Sequence, residues 1–235
     1  MINKKTFTKV LPTLPASIQT AAYADTEILF DWHEVKGFKG SSIDGIQVIV
    51  RGTNGADQTM VGIDLLFATS HIREEEKNIS VDQIPPTLGT TGAAIDTFQW
   101  KNNLVGYVPI ASGDFIDGDL VVLNIATKSG LNIPVSGDLY VAAIAKGALD
   151  FRSTVQVGTE TATNTTAVVV KTTSALTNFA PGDVLHDEDN LVIGTVKSVT
   201  DATNIVLTKN CQSVSAVNKD LYNIHPIQLM LSGSI

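Results

Sequence analysis

The chain has 235 residues, 17% of them charged and 43% hydrophobic, with a formal net charge of −8. An acidic chain with no Lys/Arg cluster is excluded as a general nucleic-acid binder, because such proteins neutralise phosphates with grouped cations. The single cysteine, Cys211, excludes an internal disulfide framework and a cysteine-rich zinc site, and no run approaches the ~18 apolar residues of a membrane-spanning helix.

The charged fraction is well below the usual value of about 25%. Few charges hold this surface apart from other surfaces, which fits a subunit whose faces are covered by neighbours. Near the start, Lys4, Lys5 and Lys9 precede Ala22, Tyr23 and Ala24 in a superficially signal-like order. Pro12, Thr13, Pro15, Ser17 and Gln19 interrupt the apolar stretch that a signal needs. A soluble protein made in the cytoplasm is the expectation.

In chain order, residues 1–24 are polar and proline-interrupted, and are expected to form an extended arm able to lie on a neighbouring subunit. Strands are predicted over 27–32, 45–51 and 60–69; the last is mostly apolar apart from Asp64, as in a strand covered on both faces. The charge cluster at 71–77 is expected in a solvated loop or one helical turn. Pro85, Pro86 and the Gly/Thr/Ala stretch at 89–94 predict a long loop, the usual place for interaction function.

Strands return at 98–100, 104–110, 119–126 and 138–144. The Ala-rich residues 140–151 suit a strand or a short helix, and Gly147 weighs against the helix. Gly-Asp-apolar recurs at Gly113-Asp114, Gly118-Asp119, Gly137-Asp138 and Gly182-Asp183, a turn that releases a new strand. These aspartates are expected as turn formers rather than calcium ligands, although Asp114, Asp117 and Asp119 lie close together.

Composition shifts near residue 152. Beyond it, short Val/Ile/Thr-rich strands are predicted at 154–157, 167–171, 184–186, 191–199, 204–208 and around Tyr222, followed by a last strand at 227–231. The predicted fold is all-β: a jelly-roll-like β-sandwich over 25–152, a small β-barrel module over 153–224, and a C-terminal strand within 225–235 that returns to the first domain. The second unit is then an insertion.

Chemistry-bearing patterns are sparse. His33, His71, His186 and His225 are dispersed, and no Gly-x-Ser-x-Gly elbow or phosphate-cradling loop is present. His186 with Asp187, Glu188 and Asp189 suits either a weak cation site or a solvated hairpin turn, and the turn is favoured. Trp32, Phe98, Trp100 and Tyr107 suit either a sugar platform or the core, and the core is favoured. No catalytic, cofactor-binding or metal-binding residue is predicted.

The pattern Phe179-x-x-Gly182-Asp183-Val184-Leu185, a polar turn, Leu191-x-Ile193-Gly194-Thr195-Val196-x-Ser198-Val199, then Thr203-x-Ile205-x-Leu207-Thr208 and Asn210 resembles small β-barrel modules of tailed-phage virion proteins. The first 150 or so residues resemble β-sandwich virion subunits only in general character. The resemblance implies a non-enzymatic virion subunit, such as a capsid decoration protein or a head or tail accessory protein. It also implies a homo-oligomer, often a trimer, whose partners are the major capsid protein or other virion subunits, with no nucleic acid, membrane or cofactor involved. Contacts are expected from the arm, at Ile2, Phe7, Val10, Leu11, Leu14 and Ile18, and from the 84–97 loop, at Ile84 and Leu88. A tail or surface receptor-binding, carbohydrate-binding module is the alternative. A β-sandwich glycan hydrolase is the third reading, and it needs two facing carboxylates.

Overall fold

A computed structural model describes residues 6–11, 22–38, 40–51, 61–69, 104–117, 123–149, 155–171, 175–189, 191–223 and 227–234. Among the described residues, nine strands build the larger unit: β1 Thr6–Leu11, β2 Ile28–Val35, β3 Ser41–Arg51, β4 Ile63–Thr69, β5 Leu104–Ile110, β6 Phe115–Asp117, β7 Leu123–Val135, β8 Leu139–Ala145 and β14 Ile227–Ser234. Between β8 and β14 the chain makes β9 Ala167–Val169, the one-turn helix α1 Ala175–Asn178, β10 Val184–Asp187, β11 Val192–Val199, β12 Asn204–Leu207 and β13 Leu221–Asn223.

The larger unit has two antiparallel sheets, ordered β1-β14-β3-β7-β6 and β2-β8-β4-β5. With the three-residue β6 set aside, the eight strands pair first with last, second with seventh, third with sixth and fourth with fifth. Pairing of β14 with β3 and of β8 with β4 then completes the sheets. That is the double Greek-key order of a jelly roll.

Alternation places the core. In β14, Ile227, Leu229 and Leu231 are buried while Gln228, Met230 and Ser232 are partly exposed. In β3 the core residues are Ile43, Ile46, Val48 and Val50, and across the sandwich Leu65, Phe67, Val141 and Ala143 belong to the same cluster. At one edge the sheets come so close that a Cβ on Gly106 of β5 would lie 2.8 Å from Ile133 Cδ1 of β7.

Strand directions bring the ends of β1, β3, β5 and β8 and the starts of β2, β4, β7 and β14 to one end of the sandwich. The chain leaves for the second unit, and returns from it, at that end. The second unit has its own apolar cluster, including Val155, Phe179, Leu185, Ile193, Val196, Ile205, Leu207 and Leu221. Because β14 lies between β1 and β3, the strands from β9 to β13 are inserted between β8 and the last strand of the jelly roll.

Two expectations change. The second unit does not close as a barrel of continuous strands; its sheet runs β13-β10-β11-β12-β9. Residues 155–158 span the two open edges through isolated bridges, Gln156 to Asp220 and Val157 to Val170. Their peptides bond on both sides: Val157 N–H donates to Lys219 O at 2.9 Å, and Lys171 N–H donates to Gln156 O at 2.8 Å. This approach needs Gly158, where a Cβ would meet the Val170 carbonyl carbon at 2.7 Å.

The second change concerns the N-terminal segment. Part of the predicted arm is β1, in register with β14 from Thr6 opposite Ser234 to Leu11 opposite Leu229. Residues 140–145, where a helix was the other option, belong to strand β8. β7 continues beyond the predicted strand through a bulge, where the register against β3 shifts between Ile43 and Gly45 and Gly130 takes φ +73°.

Candidate functional site

The His186-to-Asp189 segment is a hairpin turn, and it differs from the solvated turn that its sequence suggests. Asp187 is buried: its Oδ1 accepts the N–H groups of Asp189 and Leu191, each at 3.0 Å, and its Oδ2 accepts the Ser215 hydroxyl at 2.8 Å. His186 is also buried, with Nδ1 3.0 Å from the Asp187 carbonyl oxygen and its ring stacked on Tyr222 at 5.7 Å between centroids. Serine, aspartate and histidine are therefore neighbours, but the serine hydroxyl donates to the carboxylate and not to the imidazole. A nucleophile–base dyad needs the serine–histidine bond; the bonds seen here clamp the turn.

Only the outer half of the acidic triplet faces water. Glu188 and Asp189 hold Lys219 between them, with Nζ at 2.6 and 3.1 Å. These bonds raise the Lys219 ammonium above its ordinary value and, together with the Asp220 N–H, lower Glu188. A cation would have to displace that ammonium. Among the described residues no group of three or more His, Cys, Asp or Glu side chains is arranged to hold a metal ion.

The Gly-Asp signature works as a turn in two places by one device. Ala111 N–H donates to Asp114 Oδ2 at 2.7 Å while Asp114 N–H donates to Ala111 O at 3.0 Å; Ala180 and Asp183 repeat the exchange at 2.8 and 3.1 Å. The carboxylate thus reaches back three residues instead of forward. Pro181 and Gly182, with φ +95°, make the second turn type II. The first is a 3-10 turn over Ser112–Asp114 that uses no positive φ. Asp114 also pairs with Lys128 at 2.5 Å, and the lysine bond followed by the Ala111 amide lowers its carboxyl below the usual range.

The aromatic candidates separate. Trp32 packs against a second apolar cluster, Ile28, Leu66 and Ala142, on the outer face of the four-stranded sheet. Tyr107, opposite Leu66 on β5, is 53% exposed. Burial, then a hydrogen bond to Asp64 and its charge, raise the Tyr107 phenol above its ordinary pKa. Phe98, Trp100 and Asp119 lie outside the described residues.

Of the predicted contact residues, Phe7, Val10 and Leu11 stand on β1, opposite Gly233, Met230 and Leu229. Ile2, Leu14, Ile18, Ile84 and Leu88, with the rest of the 84–97 loop, lie outside the described residues, as do His71 and His225.

Sequence reasoning did not anticipate the outer face of the five-stranded sheet. Register sets out three rows across it. One runs Gln228, Ile49, Ile125, Ile116; the next runs Val10, Met230, Gln47, Thr127; the third runs Thr8, Ser232, Gly45, Ser129. The alternation of 227–232 carries a signal for it, but which strands lie side by side depends on pairings between distant segments.

No protein-family profile matches the chain, and no curated protein matches it significantly.

Proposed function

We propose that this chain is a structural subunit of a tailed-phage virion, a capsid decoration protein that stabilises the head through protein–protein contacts. The observation that carries the reading is the pairing of an eight-strand jelly roll with a second, separately cored β unit spliced in before its last strand. Jelly rolls serve in viral capsids and also in lectins and cupins, so the fold supports the role by analogy. The virion-like pattern of the inserted unit adds the choice among them.

A decoration subunit bridges neighbours, so it needs rigid surfaces and buried area. Two β cores provide rigidity, and the low charge density eases burial against other subunits. Major capsid protein and other virion subunits are the expected partners, and the virion the expected location.

The test is co-sedimentation of the purified protein with heads assembled from the major capsid protein of the same virus. Binding at fixed stoichiometry, with a raised melting temperature of the heads, supports the proposal. Absence of binding overturns it. Retention on a glycan array without head binding would instead give a carbohydrate-binding module, with Tyr107 as its exposed aromatic.

A further inference from the structure

We infer that Tyr107, Asp64, Lys146 and Asp25 form a binding site for a neutral glycan on the outer face of the four-stranded sheet. The inference is independent of the virion reading, because a particle subunit and a free module can each carry such a site.

Asp64 is the starting point. Ile63, Leu65 and Phe67 of β4 belong to the jelly-roll core, so Asp64 and Leu66 stand on the opposite, outer face. There Asp64 is only 7% exposed, and a carboxylate at that depth has to be answered by polar partners. It is answered twice, by the Tyr107 hydroxyl, which donates to it, and by Lys146 Nζ at 3.9 Å. Register places Asp64 opposite Pro109 and Tyr107 opposite Leu66, so the tyrosine reaches diagonally from β5 across to β4.

Compensation of Asp64 accounts for the tyrosine hydroxyl and leaves its ring. A ring held along a sheet with one face down shows the other to solvent, and Tyr107 is 53% exposed. Pro109, two residues on, is exposed beside it on the same edge strand. Nor does the burial of Asp64 account for Asp25, an exposed carboxylate that binds the same ammonium at 3.1 Å. Two carboxylates therefore flank one lysine next to an open aromatic surface.

The backbone around them is fixed. Thr26 N–H donates to Ala145 O at 2.8 Å and Lys146 N–H donates to Gly62 O at 3.0 Å. Ala24 N–H donates to Glu27 Oε2 at 2.8 Å, closing the turn that carries Asp25, and Thr26 takes φ +69° there. Asp25 and Lys146 are thus set on adjoining segments before any ligand arrives, which lowers the ordering cost of binding.

Charge selects the ligand class. Two carboxylates and one ammonium leave an excess of negative charge on a chain of net −8, which disfavours phosphate, sulfate and acidic sugars. A metal ion or a basic side chain would have to displace Lys146. A neutral glycan meets both conditions. Its hydroxyls donate to the open lone pairs of the carboxylates and accept from the remaining ammonium protons, while the C–H face of a pyranose packs on the open side of the Tyr107 ring.

The test is an array of neutral, sialylated and sulfated oligosaccharides probed with the whole chain. Titration calorimetry with the best-retained neutral oligosaccharide follows, for the natural chain and for Tyr107→Ala, Tyr107→Phe and Asp25→Ala, each checked for folding by circular dichroism. Neutral glycans are expected to be retained, with affinity lower by about tenfold in Tyr107→Ala, severalfold in Asp25→Ala, and least in Tyr107→Phe, which keeps the ring. Asp25→Ala alters an exposed side chain alone, and so keeps the test decisive if Tyr107→Ala disturbs Asp64. Co-sedimentation with heads stays unchanged in all three variants. Retention of no neutral glycan overturns the inference, as does a preference for sulfated or sialylated ones, or an affinity unaltered in folded Tyr107→Ala and Asp25→Ala. Loss of head binding in these variants also overturns it, and gives the surface to a protein partner.

Discussion

At the scale of single residues, Asp187 shows how burial converts an acidic turn into a structural clamp. Its three partners, the Asp189 and Leu191 amides and the Ser215 hydroxyl, tie the β10–β11 hairpin to a segment 28 residues further on. In Asp187→Ala the buried serine hydroxyl and two partly buried amides lose their acceptor. Hydrogen bonds to charged groups contribute about 1.5–3 kcal/mol, and an orphaned buried donor costs a further ~1–3 kcal/mol. We expect a loss of about 3 kcal/mol from the inserted unit in urea unfolding, with Asp187→Asn losing less because it keeps one acceptor oxygen. Lys219→Ala, at an exposed ion pair of the same turn, should leave the midpoint nearly unchanged. An Asp187→Ala midpoint as little altered as that of Lys219→Ala would show that the clamp does not hold the turn.

At the scale of elements, stability follows position in the sheet. Among the described strands, β14, β3 and β7 are flanked on both sides, as are β4 and β8, whereas β1, β6, β2 and β5 are edges. Amide exchange should therefore be slowest at Leu229, Val48, Leu65 and Val141, and faster by orders of magnitude in β1, whose ladder has one partner. If β1 exchanges as slowly as β14, its open edge is covered by another strand. The same distinction separates what the sequence discloses from what it does not. β4, β8 and β14 are legible because apolar runs or strict alternation mark them locally. β1 is masked by Pro12 and Pro15 beside it and by a partner strand more than 200 residues away. The second half of β7 is hidden by Gly130, which breaks the alternation because the strand bulges there. Asp187 looks solvated in sequence because Ser215, its hydroxyl partner, is remote. The outer face of the five-stranded sheet goes unseen for a related reason: Ile116, Ile125, Ile49 and Gln228 become one row only after three strand pairings are known.

At the scale of the whole molecule, the topology makes the two units separable. The jelly roll needs β14, which contributes Ile227, Leu229 and Leu231 to its core and gives β1 its ladder. It has no comparable need of the strands between. β8 ends and β14 begins at the same end of the sandwich, on sheets ~10 Å apart, and a linker of about six Gly/Ser residues reaches up to ~20 Å. Replacing residues 153–224 by such a linker should leave a soluble jelly roll with its β14 pairing intact. The excised unit is small enough to bury only ~60% of its unfolded surface, so as an isolated fragment it should be the less stable of the two. Calorimetry of the intact chain should then show two transitions, the lower of which disappears from the linker variant. A variant that aggregates would mean that the jelly roll draws part of its stability from the inserted unit. A single transition in the intact chain would mean that the two cores, though separate as apolar clusters, unfold as one.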